Sequence, residues 1–520
     1  MKNRTYNIIF HTHTVSGIVI SVALYVIFFA GSFSFFRDEI VNWERNQVVE
    51  ATDHMQFNVD SLLDSISRKH DLNGRDVELK KYYSEQQVGV SLSASKDSLA
   101  PEEAKTVQFF YINTKSFNEN SYLESYTLGE FLYRLHFLAQ VPYPIGYYLS
   151  GFVALFFLFA IITGVIIHWK KIITNFYVFR PLEKLKTMWT DAHTTLGMVG
   201  LPFQFVYAVT GAFFMIKLLL VAPSVMILYN GDQDKLYDDL GYVHPTFEPA
   251  NKKLETKISV SNFMDNTLKK WDDFQISEVH IFNYNDDNMH VLLNGHLAYS
   301  IDFNGVGEVI YKARTGMIVS SKNPIQNQSY VEAVKNILYR IHYGDYGGLA
   351  LKIVSMLLGF ITCFVILSGV MIWLVARDKK NIPDKKRRFN ERVVLLFLAV
   401  CLSMYPITAL SFIVVKVITQ TSLEFIYSFY FIGWLLLTLF FFFKKSNAFT
   451  NYYTILSGSF FGLLVPFSNG VITGNWLWIT ATNGNNSAFI VDLIWLALSI
   501  LGFFIVLKLK KKALKLKTTS

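Results

Sequence analysis

The chain carries two copies of one unit, and this duplication limits its possible folds more than any other feature of the sequence. In each copy a Leu-Tyr-Arg-Xaa-His motif precedes a long apolar run that closes on a hydroxyl residue and a glycine. A His-Thr-Xaa-Xaa-Gly motif lies upstream, and a further glycine follows its histidine after 18 residues. The matched residues are His136 and His342, Gly164 and Gly369, His13 and His193, Gly17 and Gly197, and Gly31 and Gly211. Residues 1–376 are therefore two tandem copies.

Long apolar runs identify an integral membrane protein. Apolar residues make up 52% of the 520 residues and charged residues 17%. About 20 apolar residues cross the roughly 30 Å hydrocarbon layer of a membrane. Eight such runs lie near 15–36, 147–168, 196–222, 349–375, 393–415, 424–443, 453–473 and 488–508. The first run is too long for a signal peptide and lacks a small-residue cleavage site, so we interpret it as a signal anchor.

The predicted fold class is a mainly α membrane protein with eight transmembrane helices. The first four helices form the two tandem repeats, and each copy adds a small α+β module outside the membrane. The predicted segments are transmembrane helix 1 at 1–36, module 1 at 37–140, helix 2 at 141–169, a loop at 170–192, helix 3 at 193–222, module 2 at 223–345, helix 4 at 346–376, a basic loop at 377–391, an appended four-helix module at 392–510 and a basic tail at 511–520.

The placement of positive charge predicts the topology. The net charge is +8, and the basic clusters follow spans two, four, six and eight. The positive-inside rule makes that side cytoplasmic, which predicts cytoplasmic termini and extracytoplasmic modules. Topology explains the basic runs, so no nucleic-acid partner is predicted. Only Cys363 and Cys401 are present, both inside spans, which excludes a disulfide framework, a cysteine-ligated iron–sulfur cluster and a covalently attached c-type haem.

Each extracytoplasmic segment carries helix and strand patterns. In module 1 these are a helix over 60–69, alternating patches over 87–92 and 106–112, and a helix over 128–138. In module 2 we predict strands over 277–282, 289–293 and 297–303, with a hairpin at Asn294-Gly295, a strand and turn over 307–316, and a helix over 330–342. The last helix of each module brings a histidine to the membrane surface.

Histidines at the ends of the spans are the candidate functional residues, because ionisable groups in membranes indicate function by default. Eighteen residues are five helical turns, about 27 Å, so His13 and Gly31 share one face at opposite ends of a helix. Gly17 and Gly197, one turn from their histidines, leave room for a flat ligand. Parallel repeats pack about an axis along the membrane normal, which predicts two pairs: His13 with His193, and His136 with His342. Two facing imidazoles suit a low-spin haem b that transfers electrons, and the two pairs predict two haems.

A plainer interpretation applies to each histidine taken alone, since a histidine at a span end is commonly an interfacial polar residue. We apply it to His11. Duplication favours the ligand interpretation for the four repeated histidines. His168 corresponds to Trp373 in the second copy, but its depth makes it an alternative inner ligand, so the partner of His193 is left open between His13 and His168. We interpret the remaining histidines as ordinary surface residues: His54, His70, His244, His280, His290 and His296. Arg134 and Arg340 suit either haem propionates or lipid headgroups.

These motifs resemble the PepSY-associated transmembrane-helix family. The resemblance rests on HTVSG at 13–17, HTTLG at 193–197, Thr210-Gly211, and IHYGDYGGLALKIVSMLLGF at 341–360 followed by SGVMIW at 368–373. It covers residues 1–376 and implies PepSY-like modules. That family includes iron-regulated inner-membrane proteins and ferrisiderophore reductases with b-type haems, so the resemblance implies an oxidoreductase that reduces ferric siderophores or other metal chelates in iron acquisition.

Three functions remain open at this point. The first is the electron-transfer protein just described. No Gly-rich dinucleotide motif precedes a helix, so its electron donor would be a separate flavoprotein or a membrane quinol. The second is a haem-free, membrane-anchored protein whose modules restrain a peptidase or sense envelope conditions. The third is a transporter, which the near absence of charge within the spans disfavours. The sequence assigns no role to the appended helices.

Overall fold

The structure, a computed structural model, describes residues 3–50, 52, 54–97, 99–180, 183–239, 245–326, 329–379, 381–418 and 421–518. The chain divides into two compact units. We call the first the membrane unit; it comprises Met1–Val48, Thr127–Val221 and Gly348–Ser520. We call the second the sheet unit; it comprises Val49–Tyr126 and Ala222–Gly347.

Helices make up most of the described chain. They are α1 Asn3–Ser34, α2 Arg37–Glu44, α3 Val59–Ser67, α4 Leu128–His136, α5 Ile145–His168, α6 Ile172–Tyr177, α7 Leu185–Val199, α8 Leu201–Leu228, α9 Gln233–Asp239, α10 Val260–Lys270, α11 Tyr330–Tyr343, α12 Gly348–Arg377, α13 Asp384–Val417, α14 Leu423–Phe443, α15 Asn447–Thr473, α16 Leu477–Thr480 and α17 Asn486–Thr518. The strands are β1 Val77–Lys80, β2 Gln87–Leu92, β3 Gln108–Asn113, β4 Glu119–Asn120, β5 Phe274–Phe282, β6 His290–Leu297, β7 Val306–Lys312 and β8 Met317–Lys322.

The multi-pass architecture predicted from the apolar runs is confirmed. Among the described residues, seven helices are long and apolar enough to cross a membrane, and the bent pair α7 and α8 makes an eighth candidate. That pair turns by 69° at Gly200. Pro202 lies in the first turn of α8 and has no backbone N–H to continue the hydrogen bonds of α7. The second copy therefore has a broken helix where the first has the continuous α1.

Helix α1 is central to the membrane unit, where it packs against α4, α5 and α12. Its contacts are tight because small residues face it: a side chain at Gly359 of α12 would collide with Ser32. Aromatic rings fill the rest of the contact, including Phe28 against Phe157 of α5 at 5.3 Å between ring centres. Close packing through small residues is the usual way in which membrane helices associate.

The appended helices dock onto the first copy through buried polar contacts as well as apolar ones. The Trp43 indole, on α2, donates to Oδ1 of Asp492 at 2.9 Å. Asn469 of α15 donates to the other oxygen of Asp492 at 2.8 Å. The Lys416 ammonium lies over the Trp43 ring, 4.1 Å from its centre. The satisfied hydrogen bonds of the buried carboxylate fix how the two parts meet.

The two modules predicted from the sequence form one antiparallel sheet in the order β4-β3-β2-β1-β5-β6-β7-β8. The first copy supplies β1 to β4 and the second β5 to β8, and the two halves join where Leu79 pairs with Val279. Helices α3 and α10 cover one face, where Leu62 and Phe263 share a core with Leu79 and Val279. Sequence patterns predicted two modules, and the structure adds that β1 and β5 join them.

The predicted elements of module 1 agree closely with the structure, since α3, β2, β3 and α4 all lie at the expected places. One predicted strand of module 2, at 297–303, is wrong. Residues 298–305 form the turn between β6 and β7, and Asn294-Gly295 lies inside β6 instead of forming a hairpin. Gly295 is required there because a side chain would collide with the carbonyl oxygen of Gln275 on β5, beside a bulge between Ile276 and Glu278.

Asp60 links the two halves of the sheet unit at the N-terminus of α10. Its carboxylate accepts hydrogen bonds from Val260 N at 2.7 Å and from the Ser259 hydroxyl at 2.6 Å. We expect Asp60→Ala to lower the stability of this junction by about 1–2 kcal/mol. The reason is that the amides at the N-terminus of α10 would lose a charged hydrogen-bond acceptor. Faster hydrogen exchange of the first-turn amides of α10, measured by mass spectrometry on the detergent-purified protein, would show the effect.

Asp64→Ala is the matched control for this change. Asp64 pairs with Lys257 at 2.8 Å, but both side chains are largely exposed, so the pair contributes little. Equal exchange rates in the two variants would contradict a capping role for Asp60.

Candidate functional site

His13 lies on α1 and faces α5. Its Nδ1 is 2.9 Å from the carbonyl oxygen of Ala160 and 3.3 Å from the hydroxyl oxygen of Thr163. A carbonyl oxygen only accepts hydrogen bonds, so Nδ1 carries the proton in this arrangement and Nε2 of the neutral ring keeps its lone pair. The first copy thus holds an imidazole in the form that binds metals through Nε2.

His193 repeats this arrangement in the second copy. Its Nδ1 is 2.9 Å from the carbonyl oxygen of Val365 and 3.3 Å from the hydroxyl of Ser368, both on α12. In each copy the hydroxyl also donates to that same carbonyl oxygen, from Thr163 to Ala160 and from Ser368 to Val365. Two histidines 180 residues apart therefore have the same tautomer, fixed by equivalent groups.

The structure brings these two histidines together, as the repeat predicts. Their ring centres are 6.3 Å apart and their planes are inclined by 71°. A histidine nitrogen binds a metal at about 2 Å and lies about 1 Å from its ring centre, so two imidazoles on opposite sides of one metal have ring centres about 6 Å apart. The observed separation fits a shared metal, and each Nδ1–H bond to a carbonyl is the support that metal-binding histidines usually have.

Four glycines shape the surroundings of the pair. A side chain at Gly164 would meet His13 Cε1 at 3.2 Å, and one at Gly369 would meet His193 Cε1 at the same distance. These two glycines let the helices approach the rings. At Gly17 and Gly197 an added side-chain atom would meet no described atom within 4 Å. The position one turn from each histidine, where the sequence predicts room for a flat ligand, is therefore not filled by a neighbouring side chain.

His136 is held in the same manner by the other end of α1. Its Nδ1 donates to the carbonyl oxygen of Ile27 at 2.8 Å. Burial lowers the pKa of His136 and so favours the neutral ring, while the hydrogen bond to Ile27 has the opposite effect on the pKa. Arg134 pairs with Glu130 at 2.8 Å, and Glu130 also binds Arg37 at 2.9 Å.

His342 lies in the sheet unit near the end of α11, which stops at Gly344 in the left-handed conformation, φ 65°. Arg340 contacts Asp345 and stacks over Tyr299, 3.8 Å from the ring centre. A side chain added at Gly211, the counterpart of Gly31, would meet Ala154 at 3.4 Å in the membrane unit. The pairing of His136 with His342 stays a prediction.

His168 and His11 occupy different positions. His168 is the last residue of α5 and is half-buried. Its role as an alternative inner ligand stays a prediction. His11 is exposed and lines an apolar groove of about 450 Å³ beside Phe156 and Phe159. That position agrees with the prediction of an interfacial residue.

The histidines predicted to be ordinary surface residues differ in their surroundings. His290 and His296 are 4% and 7% exposed, so the prediction was wrong for both; each stacks on an aromatic ring, Phe247 or Tyr299. His54 and His70 are half-buried. His280 lies in a polar cluster on β5. His244 lies outside the described residues.

Sequence reasoning did not identify the groups that hold the inner histidines. Thr163 and Ser368 are visible as the repeated hydroxyl-Gly pairs, but we used only their glycines. The acceptors at Ala160 and Val365 cannot be recognised from the residue type, because their backbone carbonyls accept the hydrogen bonds. The repeated hydroxyl three residues after each acceptor was the available signal.

Gly31 is the most restrictive of the repeated glycines. A side chain there would place its Cβ 2.5 Å from Nδ1 of His136. We expect Gly31→Ala to displace the imidazole and break its bond to Ile27, which would increase modification of His136 by diethyl pyrocarbonate, read by mass spectrometry. The matched control is Gly211→Ala, whose Cβ would make an ordinary contact with Ala154. An unchanged His136 in Gly31→Ala would refute this packing.

Comparison with known protein families gives one match. The family described as PepSY-associated TM region matches residues 10–376, which is more than half of the chain and includes all five candidate histidines. No curated protein matches the chain.

Proposed function

The chain belongs to the PepSY-associated TM region family, and on that premise we propose that it is a transmembrane electron-transfer protein that carries haem b and reduces ferric siderophores or other metal chelates. The acceptor would bind at the outer face of the inner membrane, with both termini of the chain in the cytoplasm. The carrying observation is the His13–His193 pair, whose rings lie 6.3 Å apart in equivalent settings.

Haem b, if held by two imidazoles, would supply one-electron transfer and would bind no substrate at iron. His13 and His193 would hold it, or His193 with His168. The carbonyls of Ala160 and Val365 keep each Nδ1 protonated, so Nε2 is presented as the ligand and ring rotation is restricted. Such fixed ligands reduce the rearrangement that accompanies a change of charge.

A second haem would be held by His136 and His342. Support comes from His136, which has the same Nδ1 bond to a backbone carbonyl as the inner pair. Arg134 is less available to a propionate than its position in sequence implies, because Glu130 already binds it. A separate flavoprotein or a membrane quinol would donate the electrons.

The spectrum of the protein tests the proposal directly. We expect detergent-purified protein from haem-replete cells to show the sharp reduced bands of low-spin haem b after dithionite, at about two haems per chain. His193→Ala should remove one haem by the pyridine haemochrome assay, and either His13→Ala or His168→Ala should match that loss. His136→Ala and His342→Ala should each remove the other haem.

His11→Ala is the control, since His11 lies two residues from His13 but faces the apolar groove. A colourless wild-type protein would refute the redox function and favour the haem-free binding or regulatory function of the sheet unit. Retention of both haems in His193→Ala would refute the inner haem site but would leave the outer one untouched.

The open space at Gly17 gives an independent test of the inner site. We expect Gly17→Leu to lower haem content by filling the space beside His13, while the helix remains folded. Val15→Leu is the matched control, because Val15 on the same helix is 61% exposed. Haem content would be measured by absorption, and helix content by circular dichroism. Equal haem content in both variants would argue against a ligand at this position.

A further inference from the structure

A polar cluster lies at the join between the two halves of the sheet unit. In it Glu78 of β1 pairs with His280 of β5, and Lys80 pairs with Glu278. Side chains alternate between the faces of a strand, and the intervening Leu79 is fully buried in the core under α3 and α10. The cluster therefore lies on the face that those helices leave uncovered.

The duplication itself produces this cluster. Antiparallel pairing of β1 with β5 creates a local two-fold axis, which relates Glu78 to Glu278 and Lys80 to His280. A glutamate at symmetric places on the two strands puts two carboxylates next to each other. Like charges at this spacing repel, so a cation between them stabilises the arrangement.

The Lys80 ammonium neutralises only part of the negative charge of the two carboxylates. It contacts Glu78 and lies 3.4 Å from Oε1 of Glu278. With both carboxylates ionised and His280 neutral, one negative charge remains. The side chains of Glu78 and Glu278 are 21% and 12% exposed, so water screens the charge incompletely.

One carboxylate oxygen is poorly satisfied. Oε1 of Glu278 is buried and accepts no hydrogen bond from the described residues, and Glu278 as a whole is only 9% exposed. The Lys80 ammonium at 3.4 Å is too far for a strong charged hydrogen bond. This oxygen therefore has lone pairs available to a ligand.

We propose that Glu78, Glu278 and His280 bind a first-row divalent metal ion, such as Mn²⁺ or Zn²⁺, in place of the Lys80 ammonium. Carboxylate oxygens and imidazole nitrogens suit these ions. One ligand atom from each residue lies within 4.8 Å of the other two. Ligand atoms on one ion are at most about 4 Å apart, so a closure of about 1 Å by side-chain rotation completes the site. The site is independent of the haem proposal.

Metal titration of the full-length protein tests this site. Protein in detergent would be stripped with EDTA and titrated with Mn²⁺, followed by electron paramagnetic resonance, and with Zn²⁺ by equilibrium dialysis. We expect one ion at this site, bound at least about tenfold more weakly by Glu278→Gln and His280→Asn. Lys80→Gln should bind it about fivefold more tightly, because the competing positive charge is gone.

A gain in metal affinity in Lys80→Gln cannot come from misfolding. It therefore distinguishes a metal site from a purely structural cluster of ion pairs. Glu102→Gln is the matched control, since Glu102 is exposed and pairs only with Lys105 in the described structure. Zinc binding to other histidines would be common to all variants. Equal affinity in wild type, Glu278→Gln and Lys80→Gln would overturn the proposal.

Discussion

The hydrogen bond from a histidine Nδ1 to a backbone carbonyl of a neighbouring helix is the contact on which the membrane unit depends. In an apolar layer an unsatisfied N–H is costly, and helix carbonyls are already engaged within their own helix. A ring reaches such a carbonyl only where a small residue allows close approach, as at Gly164 and Gly369. One interaction therefore fixes the helix spacing, the tautomer of the ring and the direction of Nε2.

The duplication places equivalent residues from the two copies next to each other in both units. In the membrane unit it pairs His13 with His193, and in the sheet unit it pairs Glu78 with Glu278. Two imidazoles without charge tolerate this proximity, whereas two carboxylates repel each other unless a proton or a cation lies between them. The same duplication thus produces a neutral pair in one unit and a charged pair in the other.

Much of the membrane unit was predictable because its pattern is periodic and local. The inner histidine pair, the space at Gly17 and Gly197, and helices such as α4 follow from helical spacing. The join of β1 to β5 was not, because it depends on the register of strands 200 residues apart, which no local pattern contains. The bend at Gly200 was missed because hydropathy does not register a proline in an apolar run. The turn after β6 was missed because Asn294-Gly295 favours a hairpin unless a neighbouring backbone requires the glycine.

The shared sheet also has a consequence for how the chain is made. Strand β1 has its long-range partner β5 some 200 residues later, so during synthesis the first copy presents an open strand edge until the second copy has emerged. Open edges recruit wrong partners, including the same strand of another chain. A gene encoding only the first copy would therefore yield a product prone to pairing with itself, and the tandem order of the copies supplies the correct partner within the same molecule.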